Sequence, residues 1–256
     1  MILTADYHTH TKFSDAHSTV EEMVGRAAEL GLKEIAVTDH GFTHISFGIR
    51  RKQKAQYLRE LKSAAEKYNI SVLVGIEGNI LGREGTSDLL KEDFADFDVY
   101  LAGFHVFSHH ESWRDWANGW RGYLGYNMGL HLKGRIVKDQ TQAYINTVKR
   151  NPIDVLTHIN FQCFAESVEV AKCCRDYGTY VEISGKKTHF TDDELAEIVN
   201  TGVRFVVNSD AHSPERIGDI AIAMQQIERV GVPLDRIDNI DGRTPNFRFA
   251  EFKKGL

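Results

Sequence analysis

Apolar and polar positions along the chain fall into two alternating kinds of segment. Short β-rich runs end in clusters of polar residues, and each is followed by a longer amphipathic stretch with a period near 3.6. The β-rich runs cover residues 2–7, 33–38, 70–76, 98–103, 153–156, 179–183 and 204–207. Helices are predicted over 18–30, 50–68, 134–150, 167–177, from Thr191 to about Asn200, and over 214–230. Two of them carry explicit start signals: the run Ser18-Thr19-Val20-Glu21-Glu22 and the run Thr191-Asp192-Asp193-Glu194 have capping signatures. Gly31 and Gly178 stand where a helix should stop. Residues 106–132 are aromatic and glycine-rich with no clean period, and read as a long excursion after the fourth strand.

Seven strands, six of them followed by a predicted helix and with no linker between the units, predict an α/β protein with a parallel sheet, folded as a single domain over residues 1–256. That count fits a closed or nearly closed barrel better than two domains, with an open doubly wound sheet as the runner-up. No GxGxxG or Walker-type loop supports a nucleotide-binding version.

Composition narrows the picture. No apolar run reaches the roughly 20 residues that span a bilayer, and the first residues lack a signal-peptide pattern. Membrane association is therefore not expected. The 31 basic and 36 acidic side chains leave a net charge of −5, which argues against a polynucleotide partner. Cys163, Cys173 and Cys174 form neither an even framework nor a CxxC pair, so a reducing, cytoplasmic compartment is expected. The 12 histidines are about twice the number expected from ordinary composition.

The histidines are placed, not scattered. The polar ends of the predicted strands carry His8 and His10, His40, Glu77, His105, His158, and Asp210 with His212. In a parallel barrel these ends converge on one mouth, and Asp15 in the loop after the first strand can join them. Imidazole and carboxylate are ligands of first-row divalent metals. His-x-His on a strand turns both rings to one face, and Asp210-x-His212 repeats that geometry. Nine donors are too many for one ion and suit two or three, with Glu77 able to bridge. The mixed set accepts Zn, Mn or Fe.

HTHTKFSD at 8–15, TDHG at 38–41, GIEGN at 75–79, GFH at 103–105, THIN at 157–160 and SDAH at 209–212 resemble the PHP (polymerase and histidinol phosphatase) family of metal-dependent phosphoesterases. The resemblance covers about residues 4–220. It implies a distorted (β/α)7 TIM-like barrel with a trinuclear centre at the C-terminal ends of the strands. His8, His10, Glu77 and Asp210 would hold the first metal. Glu77 would bridge to a second, completed by His105 and His158, and Asp15, His40 and His212 would hold the third. His17 is a competing ligand for Asp15. The chain lacks the added domains of polymerases that carry such a module, and looks like a free-standing, histidinol-phosphatase-like member.

The expected reaction is hydrolysis of a phosphate monoester of a small metabolite by a hydroxide held between metals, releasing inorganic phosphate. L-Histidinol phosphate is the leading named substrate. Asp210 and His212 are the candidates to assist the leaving group. Fixed positive charge for the phosphate is sought in Arg50, Arg51 and Lys52 after the second strand, Lys186 and Lys187 after the sixth, and Arg216 after SDAH, with Arg51, Lys187 and Arg216 put first. Residues 106–132, with all three tryptophans, are expected to form a lid over the mouth. His44, near Phe42 and Phe47, is expected to serve packing or surface, with substrate contact as the alternative, and His189 is left without a role. A nuclease or nucleotide phosphodiesterase, and a non-catalytic metal-bound module, remain the alternatives. An amidohydrolase would want a strand-end lysine between two metals, and none is read from the sequence. A homo-oligomer is left open.

Overall fold

A computed structural model describes residues 1–255 of the protein. Seven strands, β1 (Ala5–Asp6), β2 (Glu34–Val37), β3 (Ser71–Asn79), β4 (Val99–Gly103), β5 (Val155–Leu156), β6 (Tyr180–Ser184) and β7 (Phe205–Asn208), pair in parallel in that order. Strands β4, β6 and β7 are buried at every position, as expected for a parallel sheet covered on both faces. Helices α1 (Val20–Glu29), α2 (Lys54–Tyr68), α3 (Trp113–Asn127), α4 (Arg135–Arg150), α5 (Ser167–Tyr177), α6 (Asp192–Asn200), α7 (Ala221–Val230) and α8 (Arg248–Lys254) complete the units. Local signals match the expectation. The Thr19 hydroxyl accepts the Glu22 amide while Glu22 accepts the Thr19 amide, and Thr191 with Glu194 does the same.

The sheet curls until β7 meets β1. Beyond the strands, Thr9 and Ala211 form a parallel bridge, with the His10 amide donating to the Ala211 carbonyl at 2.8 Å. Lower in the seam residues 237–240 stand in for a missing strand: Ile237 pairs with Phe205 and Ile240 with Leu3. The fully buried Asn239 is the pin of this joint. Its amide nitrogen donates to the carbonyls of Ala5 (2.9 Å) and Val207 (2.6 Å), and its oxygen accepts the Val207 amide (2.9 Å). The result is a nearly closed, distorted (β/α)7 barrel of TIM type rather than an open doubly wound sheet.

Four sequence expectations need correction. Strand β3 runs on to Asn79, so Glu77 lies within the strand, not after it. The helix expected over 50–68 begins as a 3₁₀ turn, Arg51–Gln53, before α2 takes over. The helix expected over 214–230 breaks between Arg216 and Ala221: Gly218 takes φ +71° and donates its amide to the buried Asp6 carboxylate at 3.0 Å. The excursion over 106–132 contains the 15-residue helix α3.

Helix α3 escapes a hydrophobic count because its buried face is made of glycine. Gly119, Gly122 and Gly125 are its buried residues. They let the helix lie against His110, Gln140 and Leu132, whose atoms a Cβ at those positions would strike. Gly122→Leu is expected to destabilise the fold by about 1–3 kcal/mol through overpacking against Gln140, measurable as a lowered midpoint in urea. No helix among the described residues is long and apolar enough to cross a membrane.

Candidate metal centre

The strand ends bring all nine sequence-predicted donors to one mouth. Glu77 sits at the centre, fully buried on β3. Its Oε1 lies 2.8 Å from His158 Nε2 and 3.3 Å from His8 Nε2, and its Oε2 lies 2.9 Å from His40 Nδ1, 3.6 Å from His105 Nε2 and 3.8 Å from His10 Nε2. Asp210 Oδ1 is 3.4 Å from both His10 Nε2 and His212 Nδ1. Asp15 approaches His212 Nε2 at 3.2 Å and His40 Nε2 at 3.6 Å, whereas His17 is exposed.

Four groups of donor atoms lie within 4.8 Å of one another: His8, His10 and Asp210; His8, Glu77 and His158; His40, Glu77 and His105; and His10, Asp15, His40 and His212. This grouping differs from the one implied by the family resemblance. His105 and His158, whose ring centroids lie 5.3 Å apart, approach different oxygens of Glu77, and His10 is shared with the Asp15 group. Each Glu77 oxygen serves a different set of imidazoles, which is the geometry a bridging carboxylate needs.

The surroundings fix these side chains. Glu182, alone and buried in the middle of β6, holds His8 Nδ1 at 2.8 Å, the His158 amide at 2.9 Å and the Asn208 amide nitrogen at 3.0 Å. Asn79 Oδ1 holds His105 Nδ1 at 2.8 Å, and the Thr157 hydroxyl donates to Glu77 at 2.7 Å. Gly103 ends β4 where a Cβ would run into Thr157, His158 and Glu77. His158 and Asp210 take positive φ, +27° and +49°. This is a costly backbone region for a side-chain-bearing residue, although aspartate tolerates it better than most. Such conformations persist where the surrounding structure dictates them. Glu182→Gln, which removes the charge orienting His8, is expected to weaken metal affinity about 10–100-fold, read by chelator competition.

The electrostatics show what the cluster lacks. Burial works against its carboxylate, yet His105, His8 and His158 hold Glu77 well below the usual range. Burial likewise opposes charge on His40, but Asp15 and Glu77 raise it to about 10. Burial, with His212 and His40 alongside, pushes His10 down to about 3. Three carboxylates, Asp15, Glu77 and Asp210, face six imidazoles across this one cluster. Seven buried atoms of the cluster, His8 Nε2, both nitrogens of His10, His40 Nδ1, Glu77 Oε2, His105 Nε2 and His158 Nδ1, have no hydrogen-bond partner. Buried polar atoms are seldom left so. Aimed at one another, neutral imidazoles and carboxylates fit first-row divalent cations.

The predicted cations separate. Arg51 is held by Asp93 at 3.1 Å and lies 4.4 Å over the Phe42 ring, and Arg216 pairs with Asp219. Lys187 Nζ donates to Tyr126 Oη at 2.8 Å. Its neighbour Lys186 instead reaches the cluster, 3.0 Å from Asp210 Oδ2 and 3.3 Å from His212 Nδ1. Of the two lysines after the sixth strand, Lys186 is thus the one that reaches the cluster. Of the excursion, Tyr126 packs on Phe161, which in turn meets His158 and His189, so the end of α3 borders the mouth. Trp113 and Trp116 point to solvent. His109 is exposed and His110 binds backbone carbonyls, so neither joins the cluster. Burial pushes the Cys163 thiol up to about 12, and raises Cys173 and Cys174 too. None of the three is a ready nucleophile.

Fold and site together define a TIM-like barrel with a histidine–carboxylate cluster at the C-terminal mouth. The family model of the PHP domain matches residues 6–186, and the chain belongs to that family. It is 26% identical over 249 residues to a probable phosphatase of Acetivibrio thermocellus, covering 93% of this chain and 92% of that protein. It is 28% identical over 254 residues to a probable phosphatase of Shewanella sp. strain ANA-3, covering 91% and 86%. Among solved structures, the histidinol phosphate phosphatase of Lactococcus lactis subsp. lactis, complexed with Zn, L-histidinol and phosphate, superposes with a TM-score of 0.63 at 17% identity. That alignment covers 96% of this chain and all of the other.

Proposed function

We propose that the protein is a metal-dependent phosphatase that hydrolyses the phosphate monoester of a small metabolite, with L-histidinol phosphate the first substrate to test. The observation that carries this reading is the convergence of nine imidazole and carboxylate side chains on one barrel mouth, with seven of their buried atoms left without a hydrogen-bond partner. His8, His10, Asp15, His40, Glu77, His105, His158, Asp210 and His212 would hold two or three divalent cations. When bound, these would polarise phosphoryl oxygens and lower the pKa of coordinated water. The relatives' names and the ligands of the Lactococcus structure support the substrate class.

The chain's own residues supply the rest. Lys186 brings an ammonium to the edge of the cluster, where its charge favours a phosphate dianion. Lys187, tied to Tyr126, places a second cation on the same wall. Asp210 and His212 are the nearest groups able to hold a proton for the departing alcohol. The buried thiols are not available as nucleophiles, and hydrolysis by metal-held water needs none. The whole chain acts as one catalytic domain.

The deciding experiment is phosphate release from a panel of phosphorylated metabolites, histidinol phosphate included, by enzyme reconstituted separately with Zn and Mn. Turnover of at least one monoester, lost on chelation and restored by metal, is the expected result. A metal-loaded protein that releases phosphate from no member would overturn the reading.

A further inference from the structure

His44 is absorbed by none of the roles above. It lies four residues beyond His40 in the loop after β2, and is 4% exposed. Its ring is stacked on His40, with centroids 5.1 Å apart and planes 24° apart, and meets His105 edge-on at 5.8 Å. It therefore faces the cluster rather than the outer surface.

The loop that carries it is built rigidly. The Ile49 amide closes it on the His40 carbonyl at 2.9 Å, and the Gly48 amide closes a smaller turn on the His44 carbonyl at 3.3 Å. The buried Asp88 carboxylate accepts the Thr43 amide and the side-chain nitrogen of Asn79, which also donates to the Thr43 hydroxyl. On the other side, Ile45 and Thr43 pair with Phe107 and His109 in strand fashion.

Within this loop the Phe47 amide donates to His44 Nδ1 at 3.1 Å. A nitrogen that accepts a hydrogen bond carries no proton, so the ring is neutral and its single proton lies on Nε2. The Nδ1 contact is the one hydrogen bond of this ring among the described residues, and the ring packs against two members of the cluster. A fixed donor beside the cluster with nothing to donate to is a site prepared for an acceptor.

We infer that His44 donates a hydrogen bond from Nε2 to a phosphoryl oxygen of the bound ester, as a neutral imidazole locked in one tautomer. The inference rests on the phosphatase reading for the identity of the ligand. The inferred partner of Nε2 is a phosphoryl oxygen and not the leaving oxygen, so His44 is a positioning residue and is not assigned as the general acid. Its contribution appears with any ligand that carries a phosphate, including the product.

The test uses metal-loaded enzyme and inorganic phosphate as the probe. A long-range ¹H–¹⁵N spectrum should place His44 Nδ1 among unprotonated and Nε2 among protonated nitrogens. His44→Asn keeps an acceptor for the Phe47 amide but removes the distal donor. It should keep its metals and weaken phosphate binding about 10–100-fold, the scale of a hydrogen bond to a charged group. His44→Gln, whose amide nitrogen falls close to Nε2, should recover most of that loss. A protonated Nδ1 would overturn the inference, as would phosphate binding by a metal-replete His44→Asn enzyme equal to wild type. Should His44→Asn lose metal, the glutamine variant decides: phosphate affinity near wild type supports the donor, and a loss as deep as the asparagine variant's refutes it. Phosphate binding that depends on His44, in a protein that turns over no ester, would uphold the anion contact and sink the phosphatase reading alone.

Discussion

Glu77→Gln is expected to empty the barrel mouth of metal and to cut kcat/KM for phosphate release by about 10³-fold or more, the scale of losing a preorganised charge at a reacting centre. The two side chains have the same shape, so the change isolates charge and proton placement. Oε1 faces His8 and His158, and Oε2 faces His10, His40 and His105. An amide must present its NH₂ to one of these sets and cannot ligate through that nitrogen. Metal content by mass spectrometry and steady-state kinetics check the prediction together. Stoichiometric metal with activity within tenfold of wild type would remove Glu77 from the centre of the site. Far-ultraviolet circular dichroism should stay unchanged, because the barrel wall does not depend on this charge.

Asn239→Ala is expected to lower stability by about 3 kcal/mol or more. It deletes three buried hydrogen bonds, to Ala5, to the Val207 carbonyl and from the Val207 amide. Each strands a backbone group whose burial without a partner costs about 1–3 kcal/mol. For a chain of this size that corresponds to a fall in Tm of roughly 6–12 °C, at about 2–4 °C per kcal/mol. Thermal unfolding at fixed metal concentration measures it. Metal affinity should fall as well, since the seam positions the extensions that carry His8, His10 and Asp210. A variant that melts within 2 °C of wild type, within about 1 kcal/mol, would show that the seam is held by the strands themselves.

The barrel was legible in the sequence because each buried strand is short, apolar and followed by a polar cluster. The donors were legible because a strand end is a sequence position: His8, His40, His105, His158 and Asp210 stand just where the apolar runs stop. What stayed hidden depends on contacts between distant segments. Glu182 gave a signal that could have been used, since a lone carboxylate inside a fully apolar strand must find a partner. Lys186 and Lys187 are adjacent and equal in the sequence, and only the turn of the chain after β6 sends one to Asp210 and the other to Tyr126. Helix α3 lay hidden because glycine serves as its packing surface. The tautomer of His44 is set by an amide three residues on, in a turn that hydrophobic periodicity does not describe.

The seam between β1 and β7 also sets an order of events during synthesis. His8 and His10 leave the ribosome about 200 residues ahead of Asp210, and Asn239, which fastens the joint, follows later still. At about 5–20 residues per second the first donors wait roughly 10–40 s for their partners. During that interval β1 has β2 on one side and an unpaired edge on the other, the kind of edge that recruits foreign strands. Complete metal capture is therefore a late event, after the last strand has closed the ring, and a nascent chain stalled before residue 237 would carry most of the donors and hold them in no fixed place.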